Sequence, residues 1–84
     1  MIDIDDDAPD PMPLYVGVCQ RVIDDIADGK VAAGALLPSA EYLAVEHGCS
    51  VVTVRRGLRL ACRLGWTRYA PQWHRWEAAV PERV

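Results

Sequence analysis

Apolar positions recur along this chain in distinct rhythms, and each rhythm predicts an element. Tyr15, Val18, Cys19, Val22, Ile23 and Ile26 follow the i, i+3, i+4, i+7 spacing that gathers side chains on one side of a helix. That helix is predicted from Leu14 to Asp28. Pro13 precedes it, where a missing N–H costs nothing, and Gly29 supplies the stop. Val31 and then Ala35-Leu36-Leu37 suggest a short strand, with Gly34 marking the turn before it. Leu43 and Ala44 give a second, shorter helix its apolar side. In a third helix Val54, Leu58 and Ala61, spaced by four and three, share one face. Beyond Leu64 the pattern changes. Trp66-Thr67-Arg68-Tyr69 and Trp76-Glu77-Ala78 read as two strands, and Ala70 to Arg75 as the loop between them.

Capping residues sharpen the middle of the chain. Ser39 and Ser50 stand just before the second and third helices, where a hydroxyl accepts from a free amide two or three residues on. Gly48 lies between the two helices, because glycine takes the left-handed conformation that a sharp exit needs. Arg55, Arg59 and Arg63 form a polar row on the third helix at i, i+4, i+8. Two short helices joined by a glycine turn, the second basic, form the helix-turn-helix pattern.

The charge distribution supports a polyanion partner despite a net charge of −3. Residues 1–28 hold eight aspartates and one base, whereas residues 48–76 hold six arginines and no acid. A basic segment this dense in a small domain is the footprint of a phosphate-binding face; its plain alternative is a solvated arginine-rich helix surface. The leader of residues 1–12 is acidic and proline-punctuated, which predicts an extended, disordered tail. It serves either as a solubilising segment or as a competitor of DNA for the arginine face. Residues 79–84 are read as a C-terminal tail. Eighty-four residues allow one small domain. No apolar run reaches membrane length and no signal peptide opens the chain. Three cysteines without a C-x-x-C pair fit a reducing compartment, and so a cytoplasmic location, nucleoid-associated when DNA is bound.

The run from Pro13 to Leu64 resembles the GntR-type winged helix-turn-helix of bacterial transcription regulators. The resemblance rests on ordered pieces: Pro13-Leu14-Tyr15, then Asp25-Ile26-Ala27-Asp28-Gly29-Lys30, then Gly34 and Leu37-Pro38-Ser39. Leu43-Ala44, His47-Gly48-Cys49-Ser50 and Thr53-Val54-Arg55-Arg56 with Leu58 complete it. It implies a mainly α fold with a small β-wing: three helices and a two- to three-stranded antiparallel sheet, spanning residues 13–78. It also implies a sequence-specific DNA-binding regulator, a repressor by operator occupancy, with double-stranded DNA as partner.

In such a module the N-terminal residues of the recognition helix enter the major groove. Val51, Val52, Thr53 and Arg55 are then nearest the bases, with valine methyls suited to thymine methyls. Ser39 and Ser50 stand at helix N-termini, where amides and dipole favour phosphate. Arg56 and Arg59 are placed for the DNA backbone, and in the wing Arg68, Gln72, His74 and Arg75 are placed for phosphates or the minor groove. Two positions depart from the family. Val51 and Glu41 stand where relatives often carry arginine, and they imply weaker binding or a shifted target. Arg56 replaces an acid common in relatives. The wing loop carries Pro71 and Trp73 where the family usually has Gly-x-Gly.

Other chemistry finds little support. His47, Cys49, Cys62 and His74 lack paired zinc-ligand spacing, while Cys19 and Cys62 read as small core residues. No nucleophile elbow, phosphate-binding glycine loop or carboxylate pair is present, so neither an enzyme nor a cofactor is expected. Family members normally continue into an effector-binding, dimerising domain. The chain ends shortly after the wing, so no small-molecule effector is expected, and a homodimer is a possibility that helix one or the wing would mediate. The alternative is a winged-helix protein-interaction module using Trp73 and the acidic tail.

Overall fold

The first stripe folds as helix α1, Leu14–Ala27, and buries Val18, Cys19, Val22 and Ile26. Two shorter helices follow, α2 (Ala40–His47) and α3 (Val51–Arg63), then strands β1 (Thr67–Ala70) and β2 (Arg75–Ala78). This architecture comes from a computed structural model in which residues 14–81 are described. The acidic leader and Pro13 lie outside those residues, so neither reading of the leader is addressed.

Local chemistry accounts for each boundary. Ser39 Oγ accepts from the Tyr42 amide at 3.1 Å and starts α2. Gly48 closes it in the left-handed conformation, φ 67°, with its N–H turned back on the helix carbonyls. Ser50 opens α3 by accepting from the Thr53 amide at 3.1 Å. Three helix ends and the three-residue turn between the helices are thus fixed by contacts within four residues, which makes the helix-turn-helix readable from sequence.

The core lies where α1 and α3 cross. Val54, Leu58 and Ala61 are completely buried, and full burial of a valine or leucine stabilises by roughly 1.5–3 kcal/mol. Gly57 lies on the same face. A Cβ there would come within 2.8 Å of the Tyr15 carbonyl oxygen and 2.9 Å of Val18, so the bare glycine is what lets the two helices approach. Leu37, Leu43, Ala44 and Ala78 close the core from the other side, and Trp66 and Trp76 pack half-buried against it.

The strands pair antiparallel, Thr67 with Ala78 and Ala70 with Arg75. The segment before α2 lies along β2 as a stub of a third strand. Leu36 bridges Glu77, the Leu37 amide donates to the Trp76 carbonyl at 2.8 Å, and the Ala78 amide donates to the Ala35 carbonyl at 2.8 Å. The result is a winged helix-turn-helix, three helices and a two-stranded antiparallel sheet, as the family resemblance implies. Packing continues past residue 78, where the Ala79 amide donates to the Trp66 carbonyl at 2.9 Å.

Three sequence expectations need correction. Each strand takes in one loop residue, Ala70 and Arg75, and the first leaves Trp66 outside it. Cys62 is exposed, not core. Arg63 leaves the row of Arg55. Both of the latter errors share one cause: at 3.6 residues per turn, a spacing of four drifts about 40° each step. Ala61, not Cys62, therefore returns to the buried face.

Candidate nucleic-acid interface

A concave cleft of about 720 Å³ opens between the start of α2, the flank of α3 and the wing. Three parts of the sequence supply its polar wall: Ser39 and Glu41 from α2, Arg55 and Arg59 from α3, and His74 and Arg75 from the wing. Tyr69 and Trp76 form its floor, packed edge to face with centroids 5.2 Å apart. On the other flank of α3 a smaller groove of about 380 Å³ holds Tyr15, Arg56, Arg59 and Arg63. The arginines thus spread over both sides of one helix, and Arg59 borders both depressions.

The cap of α3 orders its hydroxyls. Ser50 Oγ accepts from the Thr53 amide and donates to Thr53 Oγ1 at 3.0 Å. Thr53 keeps its own hydroxyl proton, so it rather than Ser50 is the donor available to an incoming group. Ser39 likewise accepts from its helix and keeps its proton for the cleft. Val52 is exposed, whereas Val51 is half-buried against the core. Of the two valines, Val52 is the one that presents methyls outward.

The cationic side chains divide by what they already touch. Arg55 Nη2 lies 4.0 Å from a Glu41 carboxylate oxygen, both groups largely exposed. The Arg56 guanidinium lies 5.8 Å from the centre of the Tyr15 ring, within cation–π range. Arg68 donates from Nε and Nη2 to Glu77 Oε1, at 3.3 and 3.1 Å, across the strand pair. Arg75 is held differently from the sequence expectation. Its Nε and Nη2 both donate to the Leu37 carbonyl, at 3.2 and 2.7 Å, part-buried. It clasps the wing to the residue before Pro38-Ser39 while still edging the cleft. Arg21, off the apolar stripe, lies 3.6 Å from Asp25.

Gln72, Trp73 and His74 occupy the wing tip. Two consecutive turn bonds set it: the Trp73 amide donates to the Ala70 carbonyl at 3.0 Å, and the His74 amide donates to the Pro71 carbonyl at 3.2 Å. His74 takes a left-handed φ of 51°. Sequence reasoning misses the Tyr69–Trp76 floor and the Tyr15 platform. Both need the fold to assemble them, although an aromatic residue interleaved with a basic segment is an available signal.

Among the described residues no three His, Cys, Asp or Glu side chains gather to hold a metal, and no helix is long and apolar enough to cross a membrane. Cys19 and Cys49 are pushed above the usual thiol range by burial.

Comparison with known proteins agrees with this architecture. The family model for bacterial regulatory proteins of the gntR family matches residues 14–72. The mannosyl-D-glycerate transport/metabolism system repressor MngR of Escherichia coli (strain K12) is 43% identical over 47 residues, 56% of this chain and 20% of that protein. A probable fructoselysine utilization operon transcriptional repressor of the same strain is 38% identical over 45 residues, 54% of this chain and 18% of the repressor. The chain thus spans about a fifth of the length of these curated relatives. Among solved structures, YtrA from Sulfolobus acidocaldarius, a GntR-family transcription factor, superposes with a TM-score of 0.76 at 23% identity, over 92% of this chain and 80% of YtrA. With the family model covering well over half its length, the chain belongs to the GntR family of bacterial regulatory proteins.

Proposed function

We propose that this chain is a DNA-binding module of a transcriptional regulator, and that it acts by occupying an operator. The carrying observation is the cleft in which Arg55, Arg59, His74 and the Ser39 cap face one concavity. A convex, polyanionic ridge is the complement of such a surface. In this reading the first turn of α3 enters the major groove, where Val52 and Thr53 meet base edges and Arg55 meets a guanine or phosphate. Ser39, whose hydroxyl proton is uncommitted, and the free amides at the starts of α2 and α3 hold one phosphate strand at helix N-termini, while the Ser50 hydroxyl stays engaged as the cap of α3. Arg59 lies along the cleft for the backbone, with Arg56 on the opposite flank. Gln72 and His74 at the wing tip, and Arg68 beside them, complete the backbone contacts, and Arg75 sets the angle of the wing. The repressors among its relatives favour a repressive role, and pairing of two copies would let the regulator span two half-sites about one DNA turn apart.

The test is the salt dependence of binding to a fluorescein-labelled mixed-sequence duplex of about two helical turns. The log–log slope should fall by about 0.9 for each phosphate contact removed, so Arg55→Ala and Arg59→Ala should each flatten it. Slopes unchanged in both variants, or no salt-dependent binding by the native protein, would refute the assignment.

A further inference from the structure

We infer that Trp73 is a wedge that enters the DNA minor groove and opens a base step, an assignment that rests on the DNA-binding reading above. Two of the three tryptophans, Trp66 and Trp76, pack half-buried against the core. Trp73 does not; it stands at the wing tip with 61% of its surface exposed. Its flank is polar, not apolar. Gln72 precedes it, and His74 and Arg75 follow it and border the cleft that Arg55 and Arg59 line together with Glu41; residues 48–76 contain six arginines and no acid. A large ring standing in a basic field is matched to a polyanion that also offers aromatic faces, and less to an apolar protein groove.

The tip is also built to hold the ring still. The Ala70–Trp73 and Pro71–His74 turn bonds overlap, the strands are paired up to Ala70 and Arg75, and Arg75 is tied to Leu37. A ring on a fixed turn has only two side-chain torsions left to lose on insertion, so little ordering cost opposes stacking. Proteins that reach into the minor groove use apolar side chains in this way to unstack one step and kink the duplex.

The experiment compares the native protein, Trp73→Phe and Trp73→Ala on end-labelled mixed-sequence duplex. Affinity is read by anisotropy and duplex bending by resonance energy transfer between the ends. The native-minus-W73F emission difference isolates the Trp73 signal, and its acrylamide quenching is measured with and without DNA. Expected are affinity about tenfold lower for W73A, with W73F between, a bent duplex only with native protein and W73F, and protection of Trp73 by DNA. If native protein and W73A bind within twofold, the duplex stays straight and Trp73 remains equally quenchable, the wedge is overturned and the ring belongs to a protein contact. That outcome leaves the DNA-binding reading intact as long as R55A still flattens the salt slope. Absence of any duplex binding by the native protein overturns both.

Discussion

Replacing Gly57 with alanine should destabilise this protein, although the same change in an ordinary helix does the opposite. In an exposed helix interior, glycine to alanine gains roughly 0.8–1 kcal/mol. At Gly57 the new methyl would stand 2.8 Å from the Tyr15 carbonyl oxygen and 2.9 Å from Val18 Cβ and Cγ1. Comfortable carbon contacts lie near 3.5–4.0 Å, so α1 must retreat from α3 by about 0.6–1 Å. The nearest obstacle is backbone, which has no rotamer to change. Overpacking of this kind costs roughly 1–3 kcal/mol, and the retreat also loosens Val54 and Leu58, which are completely buried. Setting the cost against the helix-propensity gain leaves a net loss of up to about 2 kcal/mol. In a domain of this size that lowers the melting temperature by up to roughly 15 °C. Gly17 is the internal control, since it is exposed on α1 and an added methyl there would meet nothing within 4 Å. Gly17→Ala should gain up to about 1 kcal/mol. Thermal melts by circular dichroism, with urea titrations to check that the m-value is unchanged, give both numbers. If Gly57→Ala melts at or above the native protein while Gly17→Ala behaves as expected, the close helix crossing is wrong.

The other expectations concern charge and thiols. Glu41 lies 4.0 Å from Arg55 on the cleft wall, and unit charges at that distance in water interact by about 1 kcal/mol. Glu41→Gln should therefore raise duplex affinity about three- to tenfold at low salt, by anisotropy; equal or weaker binding would count against Arg55 as a phosphate contact. Alkylation followed by mass spectrometry should find Cys62, which is exposed, modified before Cys19, which is buried, because thiolate exposure governs the rate. Burial raises the Cys19 and Cys49 thiols in the folded state, so the unfolded chain releases those protons first. Their contribution to stability is complete below about pH 8.5 and fades as pH rises through the folded values; urea midpoints that hold constant or rise over that interval would exclude it.

What the sequence reveals here is what short-range chemistry decides. The caps at Ser39 and Ser50 and the exit at Gly48 each close a contact within a few residues, and the stripe on α1 has a single period. The unread part depends on distance along the chain or on accumulated geometry. Arg75 looks like one more wing cation until its donors are found on a carbonyl 38 residues earlier. The role of Gly57 in α3 has no signal in the sequence, because the neighbours that exclude a methyl, Tyr15 and Val18, come from another helix. Counting in fours misplaces Arg63 and Cys62, an error that grows with each turn. Trp73 is ambiguous in the sequence between folding back and standing clear, since composition does not say which face of a hairpin tip has room.

The clasp from Arg75 to Leu37 has a mechanical consequence. It joins the neck of the hairpin to the residue just before the Pro38-Ser39 cap, and the Leu37 amide returns a bond to Trp76. The wing and the amide end of α2 are therefore two jaws of one caliper, with a gap set by the protein before any duplex arrives. If the module binds DNA as proposed, a duplex whose backbone spacing differs from that gap would have to deform to fit, and the molecule would then discriminate among sequences by their stiffness as well as by their base edges.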